Sequence, residues 1–356
     1  METVPDVIKE IITAAAAAPS GDNSQPWEFT YRAPNQIEFH FIAGVDNELL
    51  NIDNSGTLIA LGAAIENAVI TARSLGYSVF IKEAEDTHIA TLTIKKSSSE
   101  ASILDTELSK AILQRHSNRK PYIKEQLKAE DRNALIVAAS ENSQDILCTL
   151  VEDSDLLHAL GRDMTVMEEI ALSNEHLHKF FFSGIFWPHS HNEEGQPGLY
   201  IKTLELPPPA QLLFRGLRHW SFAKTLGKVG FPKQVAEMNA KQNASASGYI
   251  FINVKEFNRA SYIQAGRILE RIWLTATKQG MSAQIVTGIL FLARRIERGD
   301  KNELFSDEHQ EKALRAYTNM KKVAQEGYEP LLALRIGYAD PATSRSKRKA
   351  PKINTV

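Results

Sequence analysis

A single cysteine stands among 356 residues, which excludes a disulfide within the chain and leaves apolar burial as the source of stability. A chain of this length hides roughly three quarters of its unfolded surface, so no staple or structural metal is needed. Cys148 lies in the apolar run Ile146–Val151 and reads as a buried structural thiol, with a reducing, cytoplasmic setting as the expectation. Neither sign of charge is in excess: 41 Lys and Arg face 43 Asp and Glu, a formal net charge of −2. That balance gives no electrostatic footprint for nucleic acid. Uncharged runs such as Ile285–Ala293 fall far short of the ~20 apolar residues of a membrane span. The start, Met1-Glu-Thr-Val-Pro-Asp6, lacks the basic region and apolar core of a secretory leader. No membrane partner is expected. Neither Gly-x-Gly-x-x-Gly nor a P-loop occurs, so a phosphate would not be held by a Rossmann or Walker turn. His176, His178, His189 and His191 lie near Glu175, Glu193 and Glu194; these are zinc-ligating types, but without fixed spacing or a cysteine, and no metal is expected.

What is present, 43% hydrophobic and 24% charged residues, is the composition of an ordinary globular chain. Thr3 as N-cap, Pro5, and Ile8, Ile11, Ile12 and Ala15 at helical spacing predict a first helix running through the alanines 14–18 and ended by Pro19 and Gly21. Strands are expected at Trp27–Tyr31 and Ile37–Ile42, an apolar core helix over Gly56–Gly76, and strands at Tyr77–Ile81 and His88–Lys95. Ser97-Ser-Ser-Glu100 is the best linker, dividing the chain into units 1–100 and 101–356. The second unit reads as helix Ile103–Gln114, a polar segment Arg115–Tyr122, helix Glu130–Ala139, strand Ile146–Val151 and helix Ser154–His178. An irregular stretch, strand Gly248–Val254, a long helix to Gly280, further helices to about Gln325, strand Leu331–Ile336 and a basic tail complete it.

The two units echo each other. Laying Gly62–Ser78 over Gly266–Ser282 matches Gly62/Gly266, Glu66/Glu270, Thr71/Thr275, Ala72/Ala276, Gly76/Gly280 and Ser78/Ser282, six identities in seventeen positions against about one by chance for average compositions. Asn23-Ser-Gln25 reappears as Asn142-Ser-Gln144. The offset grows from 119 to 204 residues between these matches, so the second copy carries an insertion, placed at about 173–247 and expected to form a lid or binding loop. Core helices with small residues in both copies would pack on each other as in a twofold dimer, here written as one polypeptide.

Two segments concentrate binding chemistry. Pro19-Ser-Gly-Asp-Asn23-Ser-Gln25-Pro-Trp27 joins helix to strand with small hydrogen-bonding side chains. Arg115-His116-Ser117-Asn-Arg119 offers two guanidinium forks, an imidazole and a hydroxyl, suited to a phosphate or a carbonyl-rich heterocycle. Together with the Gly-bounded helix they resemble the FMN-dependent nitroreductase superfamily, whose members carry an Arg-x-Ser-x-Arg/Lys segment and a Pro-Ser-x-x-Asn-x-Gln-Pro-Trp turn. The likeness covers most of the chain outside the insertion and is greatest to the single-chain branch with two fused copies, some of them flavin-sequestering.

The resemblance implies an α+β nitroreductase-like fold of two intertwined copies, a pseudo-dimer acting as a monomer, with FMN between them. Arg115, His116, Ser117 and Arg119 would bind flavin from one copy, and Pro19, Ser20, Asn23 and Gln25 from the other. Thr287 and Gly288 would bring backbone to flavin N5, although Thr287 departs from the family's acidic residue and carries no side-chain role. Arg345, Lys347 or Arg348 would complete the phosphate site, the rest of the tail being solvated. The implied function is an FMN-dependent oxidoreductase in which NADH or NADPH passes hydride to N5 and a small-molecule acceptor then takes the electrons. The alternatives are an FMN-storing protein with little turnover, and a pseudoenzyme without flavin. Phe180, Phe181, Phe182, Phe186 and Trp187 read as local core of the insertion or as a cap over the flavin ring. Only the turn of copy one with the Arg segment of copy two is complete, so one FMN per chain is expected.

Overall fold

The computed structural model describes residues 3–46, 48–140, 144–187 and 196–356. The first helix, α1 (Asp6–Ala16), starts behind Pro5 rather than from Thr3 and buries Ile8, Ile11, Ile12 and Ala15. Strands β1 (Trp27–Arg32) and β2 (Gln36–Phe41) pair antiparallel; helix α2 (Ser55–Ser74) and strands β3 (Tyr77–Glu83) and β4 (His88–Lys96) follow. After α3 (Ile103–Ile112), α4 (Ala129–Ala139) and β5 (Ile146–Val151), the single helix expected over 154–178 is three: α5 (Ser154–Met164), α6 (Val166–Ser173) and α7 (Glu175–Ser183). The second break is made by Asn174, whose side chain caps α7 by accepting from the Leu177 N–H at 3.0 Å.

The span 173–247, expected to be irregular, is mostly helical. A small parallel pair, β6 (Ile185–Phe186) and β7 (Leu199–Tyr200), leads into α8 (Pro208–Leu217), α9 (Trp220–Gly227) and α10 (Phe231–Asn243). Prolines in the first turns of α8 and α10 start these helices, which is why proline there did not signal a loop. The chain ends with β8 (Gly248–Val254), α11 (Arg259–Lys278), β9 (Ser282–Ile285), α12 (Gly288–Glu297), α13 (Asp307–Lys321), β10 (Glu329–Gly337) and β11 (Ile353–Thr355). The short β9 and β11 were not expected.

Besides the β6-β7 pair, two larger sheets form among the described residues, ordered β11-β1-β2-β4-β3 and β5-β8-β10-β9. The tail is not simply a solvated face: β11 lies parallel to β1, with Ile353 opposite Phe29. All seven residues of β8 are buried because both faces of its sheet are covered. Ile250, Ile252 and Val254 face one apolar cluster with α2 and α11, while Tyr249 and Phe251 face another with α5, α6, α12 and α13.

Helices α2 and α11 cross at the centre of the larger cluster. A Cβ on Gly62 would stand 2.0 Å from the Ile263 carbonyl oxygen, and one on Gly266 would stand 2.0 Å from that of Ile59. Only hydrogen at both positions lets the backbones meet. Ile59 and Ile263 are separated by the same 204 residues as the two glycines, so the crossing is reciprocal, as a local twofold requires. Helix α2 with its preceding turn, Ile52–Ser74, is long and apolar enough to cross a membrane, but 94% of that apolar window is buried inside the molecule.

Candidate functional site

A cavity of about 1920 Å³ opens between the two sheets' helices and α7–α10. The turn after α1 forms one wall through Pro19, Ser20, Asp22 and Asn23. Asp22, Asn23 and Gln25 have φ of 46°, 57° and 55°, a left-handed run that costs free energy in non-glycine residues and needs outside support. That support comes from Ser20, whose hydroxyl accepts from the Gln25 N–H at 3.0 Å, and from the tail. Asn23 Nδ2 donates to the carbonyls of Gln196 (3.1 Å) and Lys347 (3.2 Å), and its Oδ1 accepts from Arg348. Gln25 does not line the cavity; its Oε1 accepts from the Lys349 N–H at 2.8 Å, so it ties turn to tail.

Arg115, His116, Ser117 and Arg119 form the facing wall. Arg115 is buried, donates to the Ala17 carbonyl at 2.8 Å, stacks its guanidinium 4.6 Å from the Trp273 ring centroid and places Nε 3.1 Å from Glu270 Oε1. Arg119 donates to the Thr203 carbonyl at 3.2 Å, which anchors the segment to the turn before α8. Burial pushes its pKa down, and Asp22 across the cavity opposes that push. Asp22 is in turn raised by desolvation against the pull of Arg119.

From the tail, Arg345 and Arg348 reach the same cavity, whereas Lys347 contributes its carbonyl to Asn23. Arg345 donates to the Leu113 carbonyl at 2.6 Å and Arg348 to that of Ala18 at 3.0 Å. Burial, and then repulsion from Arg115, lower Arg348 to about 9; it remains a cation at neutral pH. The two guanidiniums share one carboxylate, Glu270, itself raised by burial. Thr287 and Gly288 also line the cavity, at the first turn of α12, where amide N–H groups have no intrahelical acceptor. A Cβ on Gly288 would stand 3.1 Å from Met167 Cγ, so a larger residue there would push the Met167 side chain aside.

The aromatic residues divide. Phe180, Phe181, Phe186 and Trp187 line the cavity with Phe214, and Phe182 is buried beneath them against Phe214 at 5.1 Å between centroids. His178 is buried too, its Nε2 2.7 Å from the Leu217 carbonyl. Glu175 takes Lys179, while His189, His191, Glu193 and Glu194 fall outside the described residues. The His and Glu side chains that do converge are Glu38, His40 and His88, whose ligand atoms lie within 4.8 Å of one another on β2 and β4, away from the cavity. Burial pushes the Cys148 thiol up to about 12, and it packs on the core. Sequence reasoning missed Glu168, which lines the cavity from α6.

No family model matches the chain. A curated, uncharacterized protein of Mycobacterium tuberculosis (strain CDC 1551 / Oshkosh) is 21% identical over 350 residues, covering 97% of this chain and 48% of its own length. The chain thus spans about half the length of the curated relative it matches. Among solved structures it is similar to a nitroreductase with bound FMN from Bacteroides fragilis NCTC 9343, with TM-score 0.37 and 14% identity over 69% of this chain and 95% of that one. It is similar to an FMN-dependent nitroreductase from Clostridium difficile R20291, with TM-score 0.36 and 15% identity over 71% and 100%. A third is the NADPH:FMN oxidoreductase from Vibrio harveyi complexed with NAD+, with TM-score 0.32 and 12% identity over 68% and 73%. Similarities of this size decide neither fold nor function, which rest on the residues of the site.

Proposed function

We propose that this chain is an FMN-dependent oxidoreductase of the nitroreductase type. The observation that carries the reading is the convergence on one cavity of the turn 19–23, the segment 115–119, the start of α12 and Arg348. Arg348 and Arg115 crowd two cations around one buried carboxylate, an arrangement that an anionic group such as the FMN phosphate would relieve. In this reading Arg115, Arg348, Ser117 and Asn23 hold the phosphate end, and Arg119 meets the carbonyl-bearing ring. The N–H groups at the start of α12 face the reacting edge. Bound FMN would supply two-electron chemistry between a reduced nicotinamide and a small acceptor. The protein's own part is to fix the ring, place cations where negative charge gathers, and keep water from one face with the aromatic side chains of 180–187 and 214.

A storage role is the competing reading. The cavity volume of about 1920 Å³ exceeds the roughly 300–1,000 Å³ of most ligand pockets, and the surplus favours a second molecule above the flavin, hence turnover. Recording the visible spectrum of the purified protein tests both. Bound flavin that bleaches on adding NADH or NADPH and recovers with a quinone is the expected result; flavin that stays oxidised would leave storage, and a colourless protein that takes up no added FMN would end the flavin reading.

A further inference from the structure

Glu168 is a titratable group of the cavity that flavin binding leaves unused. It lies on α6 between Met167, which packs on Gly288, and Glu169, which turns away to Lys312 at 2.7 Å. It shares the cavity face of α6 with Ala171 and Leu172, the spacing of one side of a helix, and Met164 lines the same cavity from the end of α5. Its Oε2 is buried without a hydrogen-bond partner.

The charged groups on the surrounding elements are engaged elsewhere. His309 of α13 meets Ser173 at 3.1 Å, Arg294 of α12 donates to the Tyr262 hydroxyl at 3.2 Å, and Arg295 pairs with Asp300. On α5, Asp163 accepts from Asn319 at 3.3 Å; on α7, Glu175 holds Lys179. On α10, Lys241 lines the same cavity without offsetting the carboxyl. Tyr249 of β8 is the ionisable neighbour that senses Glu168, and its hydroxyl donates to the Asn243 carbonyl at 3.1 Å. A carboxylate held in such a place is penalised, and the group takes up a proton instead. Desolvation, opposed only in part by a hydrogen bond from its own backbone N–H, raises Glu168 to about 7.

We propose that Glu168, in its uncharged form, is the hydrogen-bond donor with which the cavity grips an oxygen of the small molecule seated beside the start of α12. This rests on the reading of the cavity as the flavin and acceptor site. An oxygen that only accepts, as in a carbonyl or quinone, is bound by the neutral acid and repelled by the carboxylate. Affinity for such a molecule therefore falls as pH rises through the titration of Glu168.

The test uses the purified, FMN-loaded protein without reductant, 1,4-naphthoquinone as probe, and quenching of tryptophan fluorescence, since Trp187 and Trp273 line the cavity. Between about pH 6 and pH 8 the wild-type affinity should drop roughly tenfold. Glu168→Gln keeps a donor and should bind at the low-pH level throughout; Glu168→Leu should bind about tenfold more weakly at both pH values. The proposal is overturned if the quinone does not bind, if the wild type shows no slope, if Glu168→Gln keeps the slope, or if Glu168→Leu matches the wild type near pH 6. Flavin content, read by absorbance after denaturation, reports on the flavin reading separately: should the protein hold no FMN, the same comparison in the flavin-free protein still decides the role of Glu168.

Discussion

Arg348 and Arg115 occupy one corner of the cavity but would respond differently to removal. Arg348 is held there against burial and against Arg115, so Arg348→Ala relieves repulsion in the unliganded protein while taking one charge-assisted contact from a phosphate. FMN affinity measured by calorimetry should fall one to two orders of magnitude, from a contact worth ~1.5–3 kcal/mol, with the unliganded melting temperature little changed, because relief of the repulsion offsets the lost bonds to Ala18 and Asn23. Arg115→Ala would also weaken FMN, yet it strands the buried Glu270 and should cost about 3–5 kcal/mol of stability as well. Equal flavin affinity in both variants and the wild type would remove the phosphate assignment. Arg115 and Arg119 were legible in the sequence because two forks within five residues are unusual chemistry. Glu168 was not: it stands next to Glu169 in Val166–Ser173, and which of the two faces inward depends on the helix phase set by the break at Thr165.

Helix α2 could be placed in the core from its sequence, since nearly every side of it is apolar, but its crossing partner was visible only through the repeat. The reciprocal contact of Gly62 with Ile263 and of Gly266 with Ile59 involves backbone atoms that cannot swing aside. Gly62→Ala and Gly266→Ala should each therefore destabilise the fold by about 1–3 kcal/mol or more. The double variant should cost less than the sum, because either methyl alone already separates the helices; denaturant titrations would show it, and a neutral single variant would mean the crossing is looser than described. The insertion was read less well. Its prolines and glycines suggested loops, yet Pro207, Pro208, Gly230 and Pro232 sit at helix starts and Gly184 and Gly227 at helix ends, and the amphipathic faces of α8–α10 are too short to stand out from a background of aromatics. Since α10 packs on α5 and α6, the insertion is not removable as a block. Opening it at Phe214, which touches both Phe181 and Phe182, is the gentler probe: in a folded Phe214→Ala variant, reoxidation of the reduced flavin by a bulky quinone should quicken several-fold. An unchanged or slower rate would count against a gating role.

At the scale of the whole molecule the two crossing helices are alike in frame and unlike in charge. Glu66 on α2 and Glu270 on α11 occupy equivalent places, and so do their neighbours Asn67 and Arg271, which are again 204 residues apart. Arg271 crosses to Glu66 and saturates it together with Arg267 at 3.0 Å. The reciprocal partner of Glu270 is the neutral Asn67, so Glu270 is left to Arg115 at the cavity wall. Two differences of residue type at the twofold, Arg271 against Asn67 and Arg267 against Ala63, thus commit one carboxylate to a structural pair and leave the other to hold a cation at the site. Among the described residues the segment that echoes the turn 19–25 borders no comparable place. Near Ser140, in the segment that echoes the turn 19–25, the cavity is about 160 Å³ and lined by Leu135, Ile136, Ala139, Ser140, Cys148, Leu150 and Ile250, without a cation; Asn142 and Ser143 lie outside the described residues. A flavin phosphate there would lack the charge-assisted contacts, each worth roughly 1.5–3 kcal/mol, that the first site provides. The chain should therefore bind one FMN, and because both halves of the interface are already present, a monomer should bind it. The flavin-to-protein ratio after denaturation should approach one, and Asn23→Ala, which loosens both the turn and Arg348, should lower it. Two flavins per chain, or flavin retained only in a dimer on sedimentation, would show that the asymmetry at Asn67 and Arg271 does not select a single site.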